Sequence, residues 1–98
     1  MLVRIVKFRF RESEINTFKA IFETSKNRIR ETAGCTFLEL YQDKKNPTVF
    51  FTYSHWLSED HLNTYRNSDF FTQVWSKTKL LFADKPEAWS VNKLDSLP

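Results

Sequence analysis

The side chain best suited to accept a proton at neutral pH is His55, because an unperturbed imidazole titrates near pH ~6.5. It stands in the run Phe51-Thr-Tyr-Ser-His-Trp56, directly before a tryptophan. In a strand, successive side chains project to opposite faces, so His55 and Trp56 cannot serve one pocket together. The plainer account of His55 is a hydrogen-bonded structural residue at a contact between two copies. The second histidine, His61, follows Asp60 in what reads as the first turn of a helix, where solvation is the ordinary state. Arg4 shares a strand face with Val6 and Phe8, an otherwise apolar row. A guanidinium there needs a partner or an anionic ligand, unless it lies at the wet end of the strand. Cys35 has no histidine or carboxylate beside it and reads as a buried, inert thiol.

Other chemistries lack their parts. Gly34 is the only glycine, which excludes a Gly-rich phosphate loop. Two histidines in unrelated settings offer no metal-ligand spacing, and a lone cysteine forms no intrachain disulfide. The charge is mildly positive, 15 Lys+Arg against 12 Asp+Glu, and it is scattered rather than gathered into a stripe. This argues against a nucleic-acid partner. No apolar run approaches the ~20 residues of a membrane span. The N-terminus alternates instead of forming a charged region and an apolar block, so no signal peptide is expected. A cytoplasmic protein without a membrane partner is the expectation.

One domain over residues 1–98 must position these groups, with a core over 2–92 and a polar tail over 93–98. So short a chain buries a limited share of its surface, yet it carries ten Phe, three Trp and three Tyr. That many rings point to an interface, a ligand pocket or both. Leu2 to Phe10 reads as a strand with apolar residues on both faces. Ser13 is the expected N-cap of a helix in which Ile15, Phe18, Ile21, Phe22, Ser25 and Ile29 recur at helical spacing. Gly34 is expected to end that helix in a left-handed conformation.

Cys35 to Gln42 and Thr48 to Trp56 read as strands joined by a turn at Asp43-Lys-Lys-Asn-Pro47. In the latter strand Phe50, Thr52, Ser54 and Trp56 share one face and Val49, Phe51, Tyr53 and His55 the other, the pattern of an interior strand. Ser58-Glu-Asp is a strong helix start, and Ser68-Asp69 repeats the signal, so the second helix is expected in two pieces. Ala88 to Val91 reads as a short fourth strand. The order βαββαβ specifies a ferredoxin-like α+β fold, an antiparallel four-stranded sheet with helices on one face. The other face then needs cover, which a second copy can supply, so a homodimer through the sheet faces is expected.

At Phe51-Thr-Tyr-Ser-His-Trp56, the following Leu-Ser-Glu-Asp, Leu62 and Asn67-Ser-Asp-Phe-Phe71, the sequence resembles the antibiotic-biosynthesis monooxygenase domains. These share an aromatic strand ending in Trp-x-Ser-Glu, a Leu four residues after the Ser, and a Ser-x-x-Phe step into a broken helix. The resemblance covers nearly all of residues 2 to 92 and implies a dimeric α/β barrel with a pocket between sheet and helices. Several relatives oxidise quinols or polyketide phenols with O₂ and no cofactor or metal; others degrade haem or act as isomerases. The haem-degrading branch needs Asn, Trp and His at positions that fall at or beside Val6, on Tyr65 and on Trp75, and this chain lacks that Asn and that axial His. Many quinol-oxidising relatives carry histidines where Tyr65 and Phe70 stand here.

What the resemblance implies for this chain is a cofactor-independent monooxygenase acting on a small phenolic or quinol ligand. His55 and Tyr65 are the candidate catalytic groups, and Trp56, Trp75, Phe70 and Arg4 the candidate substrate contacts. Tyr65 offers a phenol to a substrate oxygen and Trp75 a stacking face, although core packing alone also accounts for rings at helical spacing. A non-catalytic binding or stress-related module of the same fold, or an isomerase, are the alternatives.

Overall fold

The computed structural model describes residues 1–98. Strand β1 (Leu2–Arg9) leads through a single 3₁₀ turn into helix α1 (Ile15–Arg30), and β2 (Cys35–Gln42) and β3 (Val49–Trp56) form a hairpin. Helices α2 (Glu59–Arg66) and α3 (Asp69–Thr78) follow, and β4 (Glu87–Asn92) closes the chain before the tail. The sheet has the order β2-β3-β1-β4 and every pairing is antiparallel, which is the ferredoxin-like arrangement. β3 is interior, as its two-sided apolar pattern requires.

Register decides which side chains meet. Leu2 pairs with Trp56, Arg4 with Ser54, Val6 with Thr52 and Phe8 with Phe50, so one row of β1 and one row of β3 face the helices together. A bulge between Cys35 and Phe37 shifts the start of β2. The core sits at one end of this face. Phe10 stacks on Phe18 with centroids 4.2 Å apart, and Phe50 meets Phe18 edge-on at 5.0 Å. Phe10 and Phe50 are each 1% exposed. Burial of each such ring contributes roughly 1.5–3 kcal/mol.

Local chemistry explains most boundaries. Asp43 Oδ2 accepts from the backbone N–H groups of Lys45 and Asn46 and closes the hairpin turn. Ser58 Oγ accepts from the His61 N–H and caps α2. Ser68 Oγ accepts from the Phe71 N–H while donating to the Tyr65 carbonyl, so one hydroxyl ends α2 and starts α3. Leu62 is the buried residue of α2 and Thr78 that of α3.

The expectation at Ser13 is corrected. Residues Glu12–Glu14 form the 3₁₀ turn, Glu14 stands at the N-cap of α1, and no side chain caps the helix. The 3₁₀ turn pairs the Ile15 N–H with the Glu12 carbonyl, a backbone solution to an orphan donor that a Ser13 cap would have taken. Gly34 has the expected left-handed conformation, φ +88°, but lies three residues beyond the C-cap Glu31. It is required there for a second reason: a Cβ at this position would run into the His61 ring. Phe10 stands just outside β1, bridged to Phe82, and β4 extends one residue beyond the expected Ala88–Val91 at either end.

Candidate functional site

The helix-facing rows do not close completely. Between the sheet and helices α1, α2 and α3 lies a cavity of about 370 Å³, floored by Val6, Phe8, Thr52 and Ser54 and roofed by Tyr65, Phe71, Val74 and Trp75. A ring-lined cavity of this size with few polar groups is the usual form of a small-molecule site. The volume has room for about two fused rings, since an apolar cavity near 150 Å³ accepts one benzene.

Its aromatic wall is continuous. Trp56 stacks on Tyr65 at 5.1 Å, Tyr65 meets Phe71 edge-on at 5.1 Å, and Phe71 stacks on Trp75 at 5.9 Å. Trp56 is held from both sides, because its Nε1–H donates to Ser54 Oγ at 3.0 Å within the sheet. A buried indole needs such a partner, and this one fixes its ring plane. The Tyr65 phenol has no protein partner, and burial pushes it far above the ordinary tyrosine range, with the nearby Cys35 adding to the effect. It therefore stays protonated at neutral pH, which suits a hydrogen-bond donor and not a base.

Two cations line the same space, Arg4 from β1 and Arg66 from the last turn of α2. Arg4 Nη1 donates to Ser90 Oγ at 3.0 Å, and neither arginine takes part in an ion pair. Burial, and then the charge of Arg66, hold the Arg4 guanidinium below its usual range. No Asp, Glu or His reaches the lining.

Of the residues singled out from the sequence, Arg4, Trp56, Tyr65 and Trp75 come together here. His55 does not. It pairs with Val3 and Phe37 on the opposite face of the sheet, stacked on Phe37 at 4.7 Å, and its Nε2 is buried without a hydrogen-bond partner. The strand alternation that brings Trp56 to the cavity turns His55 away from it. Burial first, and the charge of Lys93 second, hold its imidazole below the ordinary histidine range. Phe70 also lies outside the cavity, with the Arg28 guanidinium 4.0 Å above its ring, where it ties α3 to α1. Its neighbour Phe71 is the lining residue, one position or about 100° further round the helix. Burial raises the Cys35 thiol, in line with an inert residue.

Arg66, Phe71 and Ser54 are site residues that the candidate set lacks. Ser54 shares the strand face of Trp56, so alternation carried that signal. Arg66 reads in sequence only as a cation complementing a helix C-terminus.

The fold and the cavity together define a ferredoxin-like α+β domain with an aromatic cavity lined by two arginines. The chain belongs to the antibiotic biosynthesis monooxygenase family, which it matches over residues 1–75. No curated protein matches it. Among solved structures it resembles an antibiotic biosynthesis monooxygenase with a TM-score of 0.88 at 17% identity, covering 100% of both chains. A conserved protein from Methanosarcina mazei Go1 gives 0.88 at 19% identity, over 95% of this chain and 93% of that one. Rv0793 from Mycobacterium tuberculosis gives 0.89 at 16% identity, over 99% and 98%. At such identities the likeness shows the fold alone. No helix is long and apolar enough to cross a membrane.

Proposed function

We propose that the protein oxidises a small phenolic or quinol substrate with O₂ in this cavity, the substrate itself supplying the electrons. The observation that carries the reading is the continuous wall Trp56–Tyr65–Phe71–Trp75 around a mainly apolar space, with the Tyr65 phenol in that wall held protonated by burial. Rings hold a flat substrate, and the Tyr65 hydroxyl donates to its oxygen. A donor aimed at an oxyanion in a site of low dielectric favours the phenolate. A phenolate transfers an electron to O₂, the two radicals combine as a peroxide, and loss of water leaves a quinone. For a phenol with a free para C–H the balance is one phenol plus O₂ giving one quinone plus one water. His55 lies across the sheet, so the phenol proton leaves to water at the cavity mouth.

The test is oxygen uptake with a panel of naphthols and hydroquinones. Uptake well above autoxidation, lost in Tyr65→Phe, supports the reading; uptake equal to the buffer control across the panel refutes it. A non-catalytic binding module is the second reading, favoured by the lack of any carboxylate or imidazole in the lining. It predicts tight binding of the same panel without turnover.

The partner reading follows from the other sheet face. Ile5, Phe37, Phe51 and Tyr53 are only half-buried there, Trp89 is 43% exposed, and no helix packs over them. A second copy laid face to face would cover this patch, and a monomer mass at micromolar concentration would refute that arrangement.

A further inference from the structure

We infer that the natural ligand of the cavity is an aromatic carboxylate, its rings against the Trp56–Tyr65–Phe71–Trp75 wall and its acid group between Arg4 and Arg66. This deepens the proposed function by naming a substrate class, and it rests on the same cavity being the ligand site.

Two guanidinium groups line a space with no carboxylate to balance them. Nothing in the fold pairs with either, the two ion pairs of the chain being Arg9–Asp84 and Lys26–Glu23. Arg4 is half-buried on the floor beside Val6, and its only side-chain bond is the one it gives to the neutral Ser90 hydroxyl. A guanidinium carries five donors, so most of its capacity points elsewhere. Like charges drawn together at a partly desolvated site destabilise each other, and an anion between them relieves both the repulsion and the lost hydration. Arg66 is exposed at the mouth and already hydrated, so a single negative charge suffices for the pair. A planar carboxylate matches the planar fork of arginine and accepts two bonds from it. The apolar remainder of the lining then fixes the rest of the ligand as aromatic rather than sugar-like.

Anaerobic calorimetric titration at pH 7 with 1-hydroxy-2-naphthoate and with its neutral amide separates binding from any oxygen chemistry. The expected result is a preference of about tenfold or more for the acid, the worth of one charge-assisted hydrogen bond. Added salt should reduce the affinity for the acid and leave that for the amide unchanged. Arg4→Gln and Arg66→Gln should each bring the acid down towards the amide, and Arg66→Lys should retain part of the preference. Equal affinity of the folded wild type for acid and amide overturns the assignment, as does binding of 1-naphthyl phosphate without binding of the acid. The wild-type comparison needs no variant, so a misfolded Arg4→Gln leaves the test intact. Acid preference without oxygen uptake sinks the oxidation reading alone; oxygen uptake without acid preference sinks this one alone.

Discussion

Replacing Tyr65 with phenylalanine removes one oxygen and little else. The ring keeps its stack on Trp56 and its edge contact with Phe71, each at 5.1 Å. The hydroxyl has no protein partner, so its loss leaves no orphaned group behind. Stability should therefore change by less than about 1 kcal/mol, which in a domain of this size is a melting-temperature shift within about 4–8 °C. Activity should change far more. A neutral donor bound to an anion is worth about 1.5–3 kcal/mol, which converts to a rate loss of roughly 10- to 150-fold. Tyr65→Ala cannot make the same distinction, because losing a whole ring costs about 3–5 kcal/mol in packing. The assay is oxygen consumption with 1-naphthol, corrected for autoxidation, beside thermal unfolding of both proteins. Because burial holds the phenol protonated, Tyr65 should add no inflection to the pH–rate profile below about pH 10. A Tyr65→Phe protein that keeps the wild-type rate would refute the donor role. A melting temperature lower by well over 8 °C would refute the claim that the hydroxyl is structurally idle.

Three further outcomes are expected. Gly34→Ala should destabilise the fold by at least about 2 kcal/mol, because it places a Cβ in a left-handed backbone and against the His61 ring. Urea unfolding measures this, and His61→Gly, which also removes the Cβ that the new methyl would meet, should cost less in the Gly34→Ala background than in the wild type. The folded chain holds the His55 proton less readily than the unfolded chain does, so stability should be complete above about pH 6.5 and fall as the pH drops through that value. His55→Phe should flatten this dependence between pH 7.5 and 5.5 in chemical denaturation, and an unchanged slope would assign it to other groups. Trp89→Glu puts a charge on the uncovered sheet face and should shift sedimentation towards the monomer at micromolar concentration, with the fold retained.

The parts legible in the sequence were those set by near neighbours. Ser58 and Ser68 cap helices through bonds to residues three positions on, and Asp43 closes its turn within the same reach. The alternation in β3 separated His55 from Trp56 correctly, because a period of two needs no tertiary information. What stayed hidden depends on distance or on helix phase. The break at Ser68 resets the rotation of α3, so whether Phe70 or Phe71 faces the cavity is decided by packing against the sheet. Arg66 meets the surroundings of Arg4 only because α2 packs on β3, the strand beside β1, a juxtaposition of residues far apart in the chain. The missing Ser13 cap has a similar origin: the backbone itself satisfied the donor that a local rule gave to a side chain.

The roof of the cavity is carried by helices of eight and ten residues, lengths at which an isolated helix in water is marginal. Each has one fully buried side chain, supplemented by the half-buried rings of Tyr65 and Trp75, and the two share a single serine latch. The floor, by contrast, belongs to β1 and β3, paired over eight residues at the centre of the sheet. Such a grading predicts that the roof opens before the platform beneath it. Amide hydrogens in α2 and α3 should exchange with solvent by sub-global opening, well before those of the central strands. A ligand seated between floor and roof is therefore held by the more labile of the two layers, and opening of two short helices widens the mouth at Arg66 through which it enters.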